Sequence, residues 1–206
     1  MSSNPAIDNS PSAQPRRRLT RGERQRQLLD IAWQLISLEG TEALTLGRLA
    51  ELAGVTKPVV YDHFGTRAGL LAVLYQDYDQ RQTALMDAAL STSEPTLEGQ
   101  AKVIATSYID CVLTQGREIT GVIAALASSP ELERIKREYD VIFLARCQHA
   151  LAGFATASTL SQAGLRAMLG AAEALSAAAA AGEIKADDAR AELFETIVAM
   201  VRRNNR

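Results

Sequence analysis

The sequence predicts an all-α fold, and three observations carry that prediction. Alanine is abundant while proline (6 of 206 residues) and aromatics (5%) are scarce, whereas a sandwich or barrel would be rich in β-branched and aromatic residues. Apolar residues recur at i, i+3, i+4 and i+7 in one segment after another. Capping side chains stand before several of these segments and glycines after them. With 47% apolar and 22% charged residues the chain can bury a core, which excludes wholesale disorder; its length suits one large domain or two small ones.

The first 15 residues are rich in Ser, Pro and Asn, with Ile7 as an isolated aliphatic residue, and read as a disordered tail without the apolar run of a signal peptide. Between Arg21 and Glu39, Leu28, Ile31, Ala32, Leu35 and Ile36 make one stripe of an amphipathic helix that Gly40 stops. Thr45 caps a short second helix carrying Leu46, Leu49, Ala50 and Ala53, ended by Gly54. A third starts at Thr56, whose hydroxyl is placed to accept from first-turn amides. Pro58 is tolerable there because first-turn N–H groups lack intrahelical partners, and the helix ends near Phe64 and Gly65.

Ala50, Gly54 and Val60 then stand where a helix-turn-helix needs a small residue, a turn glycine and an inner β-branched residue. A fourth helix, from Thr66 to about residue 90, keeps Leu71, Leu74, Tyr75, Tyr78, Leu85 and Met86 on one face. Further helices are predicted over 97–114, 117–127, 131–155 (with Ser129, Pro130 and Glu131 as start signal), 160–181 and 187–203, about nine in all.

Charge is unevenly distributed. The net charge of −2 hides six arginines against Glu23 between Arg16 and Arg26, a local +5, while residues 82–206 sum to −3. The basic footprint therefore sits at one end of the chain. Cys111 and Cys147 lie far apart in helical segments and lack metal-ligand spacing, so neither a disulfide framework nor a metal is expected and a cytoplasmic location is. The alanine-rich stretch 167–182 contains Glu173 and is too short and weakly apolar to span a bilayer. With His63 and His149 the sole histidines and no nucleophile elbow or phosphate loop, catalysis and cofactors are not expected.

The words LLDIAWQLISLEG (28–40) and TLGRLAELAGVTKPVVYDHFGTRAGLL (45–71) resemble the tetracycline-repressor (TetR) family of bacterial regulators, through Gly54–Lys57, Tyr61–Gly65 and the basic-x-x-Leu element Arg67–Leu70. The resemblance covers the first third of the chain. It implies a DNA-binding domain over 16–66, with the motif at 45–64, followed by an effector-binding and dimerisation domain over 67–206.

It also implies that Thr45, Thr56, Tyr61 and His63 hydrogen-bond phosphates, that Lys57 reaches a phosphate or a guanine edge, and that Pro58 and Val59 face bases. Asp62, an acid near phosphates, points away, pairs with a nearby arginine or accepts from a cytosine amino group, the first being preferred. Arg16, Arg17 and Arg18 form a basic arm able to reach phosphates or the minor groove. The effector, an unidentified small molecule, would meet polar groups set in apolar helices: Tyr75, Tyr78, Tyr108, Asp110, Cys111, His149 and Glu173. A homodimer face is expected on the last two helices at Leu165, Met168, Leu169, Ala172, Leu175, Phe194, Ile197 and Val201.

The expected function is a ligand-released repressor of a palindromic double-stranded DNA operator. The alternatives are an activator, a regulator answering to a protein partner, and a helical small-molecule-binding protein or enzyme that retains the helix-turn-helix.

Overall fold

A computed structural model describes residues 19–126, 130–156 and 159–205, and these form eight α-helices, two 3-10 turns and no strand. Helix α1 (Arg21–Glu39) opens with a capping box. The Thr20 hydroxyl accepts from the Glu23 amide and the Glu23 carboxylate accepts from the Thr20 amide at 2.7 Å. Its inner face is Leu28, Leu29, Ala32, Leu35 and Ile36, so the buried stripe is rotated slightly from expectation and Ile31 lies at its edge.

Helix α2 (Leu46–Ala53) is capped by Thr45, whose hydroxyl accepts from the Arg48 amide at 3.1 Å, and ends at Gly54 in the left-handed region (φ 63°). Helix α3 (Lys57–Phe64) departs from expectation at its start: the Thr56 side chain makes no cap hydrogen bond. With Pro58 in the first turn one fewer amide needs an acceptor.

Helix α4 (Arg67–Thr92) begins two residues after α3 ends, and Thr66 caps it by accepting from the Gly69 amide at 3.0 Å. The turn is tight enough that a Cβ on Gly69 would stand 2.1 Å from the Phe64 carbonyl oxygen. Leu85, expected on the apolar face of α4, is 64% exposed, because the packed stripe passes through Leu71, Leu74, Tyr78 and Met86 instead.

The two helices expected over 97–114 and 117–127 are one continuous helix, α5 (Leu97–Leu126). The cost of Gly116 in a helix interior, about 1 kcal/mol relative to Ala, is outweighed by full burial of Ile109, Ile119 and Val122 on either side of it. Helices α6 (Pro130–Leu151), α7 (Gln162–Ala181, capped by Ser161) and α8 (Ala186–Arg203) complete the bundle, with α5 packed against α4, α6, α7 and α8. The start signal expected at Ser129 lies outside the described residues.

Two apolar cores result. The first joins α1–α3 to the N-terminal half of α4 and to Ile119 and Val122 of α5, so it runs past the expected division at residue 66. The second lies among α5, α6, α7 and α8 and contains Leu165, Met168, Leu169, Ala172, Ile197 and Val201.

Those six residues cannot form the expected dimer face, because the α7–α8 pair turns its broad apolar sides inward onto α5. Leu175 and Phe194 are half-buried against the same core. Outward, α7 carries a file of small residues, Ala163, Ala167, Gly170, Ala174, Ala177 and Ala181, beside the exposed Arg166 and Glu173.

Polar links join the two regions. Arg67 donates from Nε to the Leu44 carbonyl and from Nη2 to the Thr41 carbonyl, both at 2.9 Å. Asp77 of α4 is only 7% exposed; Arg26 of α1 donates to its Oδ1 at 2.6 Å, and Arg81 Nη2 stands 2.8 Å from Oδ2 as an ion pair without hydrogen-bond alignment. Both arginines are about half exposed, so solvent screening reduces what each contact contributes. Replacing the carboxylate with a neutral amide (Asp77→Asn) is expected to lower stability by about 1–2 kcal/mol in urea denaturation. An unchanged midpoint would remove Asp77 from the interactions that hold α1 to α4.

Candidate nucleic-acid interface

Helix α3 has a buried side and an outward side. Val60 and Phe64 are in the first core, while Thr56, Lys57, Pro58, Tyr61 and Asp62 are exposed. At 1.5 Å per residue this eight-residue helix is about 12 Å long, and the diameter of a helix with its side chains, about 10–12 Å, is what a B-form major groove about 12 Å wide admits. Val59 and His63 are half-buried at its flanks, so Val59 presents only part of its side chain outward.

The N-terminus of α2 is brought beside that of α3. Lys57 Cε lies 3.6 Å from where a Cβ on Gly47 would be, so the lysine stem runs along α2. Thr45 stands exposed one turn away, and because its oxygen already accepts from the Arg48 amide, its hydroxyl hydrogen is left to donate outward. Thr45, Thr56, Lys57 and Tyr61 thus open onto one surface.

The cations around this surface differ in their partners. Arg21 donates to Asp62 twice, to Oδ2 at 2.7 Å and to the backbone carbonyl at 3.1 Å. Asp62 therefore does not simply point away: its charge is neutralised from the first turn of α1. Arg48 is held by Glu39 at 2.9 Å, with Glu51 at 3.6 Å, and its pKa is raised mainly through the Glu39 contact. Lys57 and Arg24 have no acidic partner among the described residues, Arg24 donating instead to the neutral Gln27.

The basic run 16–26 is accordingly divided. Its second half is the start of α1, with Arg21 and Arg26 paired to acids, and Arg16, Arg17 and Arg18 lie outside the described residues.

His63 packs its ring beside Phe64 (centroids 6.0 Å apart), with Nδ1 buried and without a hydrogen-bond partner. Burial lowers its pKa, and Arg21 and Arg24 lower it further against the pull of Asp62. The ring is thus held neutral at pH 7, and Nε2 is the nitrogen left to donate to a phosphate.

A second site lies away from this surface. Between α4, α5 and α6 a cavity of about 90 Å³ is lined by four of the seven expected effector residues, Tyr75, Tyr78, Tyr108 and Cys111. The Tyr78 hydroxyl donates to Cys111 Sγ at 3.1 Å, and the thiol donates to the Tyr108 carbonyl at 2.9 Å. Burial pushes the thiol up to about 11, so it stays protonated at neutral pH.

The other three are elsewhere. Asp110 faces α8, where it accepts from Arg190; Glu173 accepts from Lys136; His149 is exposed in the last turn of α6, where a basic group complements the helix dipole. Asp79, Tyr139, Asp140 and Phe143 also line the cavity and were not foreseen. Asp79 was within reach of the sequence, since 75, 78, 79, 82 and 86 share one face of α4. Among the described residues no group of histidines, cysteines and acids is placed to hold a metal ion, and no helix is long and apolar enough to cross a membrane.

Comparison with known proteins adds the following. Residues 28–74 match the family described as bacterial regulatory proteins, tetR family. The chain is 37% identical over 78 residues to the HTH-type transcriptional activator FasR of Mycolicibacterium smegmatis, covering 37% of this chain and 36% of that protein. It is 33% identical over 54 residues to the HTH-type transcriptional regulator AcrR of Shigella flexneri, covering 26% and 25% respectively. The matched region thus spans about a third of the curated relatives' length or less.

Two solved structures share the fold over most of their length. One is a TetR-family transcriptional regulator from Streptomyces coelicolor (TM-score 0.69, 19% identity, 90% of this chain and 97% of that one). The other is the fatty acid degradation regulator FadR from Bacillus halodurans (TM-score 0.69, 15% identity, 84% and 97%).

The lowered pKa of His63 has a consequence for stability. A group whose folded pKa lies below its unfolded value binds its proton more readily when unfolded, so stability is full above the usual 6.5 and falls as pH drops below it. A side-chain NMR titration of His63 is expected to give a midpoint below 6.5, and His63→Gln to reduce the acid-side loss of stability. A midpoint at or above 6.5 would contradict the burial argument.

Proposed function

We propose, from the match of residues 28–74 to the tetR family of bacterial regulatory proteins, that this chain is a DNA-binding transcriptional regulator that acts as a homodimer and leaves a two-fold symmetric operator when a small molecule enters the α4–α5–α6 cavity. The observation that carries the reading is the outward face of α3. It presents Lys57 without an acidic partner and an exposed Tyr61 beside Thr45 and Thr56, on a helix of a size to enter the major groove. Residues 16–66 are assigned to reading DNA in the cytoplasm, with Lys57 as the principal polar reader. Residues 67–206 are assigned to sensing and dimerisation.

Helix α4 supplies the coupling. Its first turns are fixed to the first core and to the Thr41–Leu44 segment, while Tyr75, Tyr78 and Met86 line the cavity. A cavity of about 90 Å³ is well below the 300–1,000 Å³ that drug-sized ligands occupy, so such a ligand has to push α4, α5 and α6 apart. Displacing α4 carries Arg67 and Asp77 with it and shifts α3, taking the two recognition helices off the 34–36 Å spacing of successive major grooves. The ligand acts only as far as it prefers the expanded state. A second reading, activation rather than repression, is favoured by the likeness to the activator FasR.

The dimer face is reassigned to the outward file on α7. Ala163, Ala167, Gly170, Ala174, Ala177 and Ala181 recur at intervals of four and three, the spacing of a helix–helix seam, and nothing stands within 4 Å of where a Cβ on Gly170 would be. Two-fold pairing of this one patch closes a dimer.

Two measurements test the reading. On a duplex selected for binding, Tyr61→Ala and Lys57→Ala should weaken affinity, and Lys57→Ala should flatten the dependence of log K on log salt by ~1. Unaltered affinity in both would remove α3 as the reading element. In sedimentation, the protein should run as a dimer at micromolar concentration and Ala174→Arg as a monomer that binds DNA weakly. A monomeric parent or a dimeric variant would sink the assignment of the α7 face.

A further inference from the structure

The cavity gathers groups that are scarce elsewhere in the chain. The sequence has five tyrosines, four phenylalanines and one tryptophan, and five of these ten rings, Tyr75, Tyr78, Tyr108, Tyr139 and Phe143, line this one space. Tyr75 meets Tyr139 edge-on with centroids 5.3 Å apart, and Tyr108 meets Phe143 edge-on at 5.2 Å, so ring faces are left turned to other neighbours.

Two carboxylates, Asp79 and Asp140, line the same wall, and neither a lysine nor an arginine does. The nearby cations already have acidic partners: Lys136 bridges Asp140 and Glu173, and Arg146 is paired through Nη1 with Asp87, while its buried Nε makes no hydrogen bond. Asp79 is half-buried and has neither a hydrogen bond nor an ion pair among the described residues.

A carboxylate partly withdrawn from water and without a hydrogen-bond or ion-pair partner is less favourable in the empty protein than in solution, and a positive ligand relieves that cost. Ring faces carry the negative end of the aromatic quadrupole and attract the same ligands. From this juxtaposition we infer that the cavity takes a small organic cation, an alkylammonium or quaternary ammonium head on an apolar tail, with Asp79 as counter-ion and the tyrosines as cage. The inference rests on the cavity being the effector site proposed above. An anionic head would sit beside two carboxylates with no cation on the wall to receive it.

The pH dependence follows from the surroundings of Asp79. Burial raises its carboxyl to about 6, Arg146 of α6 opposes the rise, and Asp140 of α6 adds to it. The phenols of Tyr75, Tyr78, Tyr108 and Tyr139 and the Cys111 thiol on the same wall are all shifted upward by burial and stay neutral at pH 7, and burial also raises Asp140 against the pull of Lys136. Asp79 therefore gains its charge as pH rises through 6, and cation binding strengthens in the same direction.

The test uses the full chain and three probes built on a six-carbon chain, counting the carboxylate carbon of the acid: hexyltrimethylammonium, hexanol and hexanoate, titrated calorimetrically. The cation should bind about tenfold or more tighter than hexanol, with hexanoate weakest. Asp79→Asn should cost the cation about tenfold and leave hexanol unchanged, and lowering pH from 7 to 5 should weaken the cation about tenfold. The three-probe series on the parent protein does not depend on how the variant folds. Hexanoate binding more tightly than the cation, an unaltered cation affinity in Asp79→Asn, or no binding of any probe would each overturn the inference. Fluorescence anisotropy of a selected duplex separates this result from the preceding one. A bound cation that leaves DNA affinity intact defeats ligand release and keeps the ligand class; release by hexanoate alone does the reverse.

Discussion

Helix α4 has to satisfy two cores at once, and the neutralisation of Asp77 is the constraint that lets it do so. Its first turns are packed with α1–α3, its later turns cover the cavity, and between these stretches sits an acid that is almost fully buried. Buried without partners, that carboxylate would favour any rotation of α4 that exposed it, and such a rotation would withdraw Leu74 and Tyr78 from the first core. Arg26 from α1 and Arg81 one turn along α4 remove that tendency. Arg67 then fixes the start of the helix to the Thr41–Leu44 segment, so position along α4 and rotation about it are set by different groups.

What the sequence made legible follows a physical division between local and distant information. The caps at Thr45 and Thr66, the turn at Gly54 and the inward Ala50 and Val60 depend on residues within a few positions of one another, and all were readable. The Thr20–Glu23 capping box was equally local and was overlooked behind the arginines around it. By contrast, α7 and α8 carry apolar stripes whose partner cannot be known from periodicity: the stripe assigned to a second subunit packs on α5 of the same chain. The continuity of α5 through Gly116 depends on neighbours contributed by five other helices, α1, α4, α6, α7 and α8, which is equally non-local.

The candidate site was legible to the same extent. The outward residues of α3 followed from helix geometry and from the resemblance, but the pairing of Asp62 with Arg21, one of three readings open to that acid, bridges 41 positions, so no local pattern selects it. The cavity was half legible: Tyr75, Tyr78, Tyr108 and Cys111 interrupt apolar stripes visibly, whereas Tyr139, Asp140 and Phe143 come from a helix whose facing side is chosen by packing. Residues 16–67 hold nine basic and six acidic side chains, a net of +3 that already counts the Asp62 and Glu39 carboxylates paired with Arg21 and Arg48; Asp77, just outside this stretch, engages Arg26 as well. Electrostatic attraction to a duplex is therefore modest for one protomer, and doubling through two-fold pairing matters more.

The joint between α3 and α4 also bears on how such a protein can change over generations. At Gly69 any side chain would run into the Phe64 carbonyl, a backbone atom that cannot rotate aside. The outward residues of α3 and the wall of the cavity carry no such restriction, and none of the contacts described above joins one set to the other. Mutational drift can thus rewrite which DNA is read and which molecule is sensed independently of each other, while the elbow that relays one to the other is inherited unaltered.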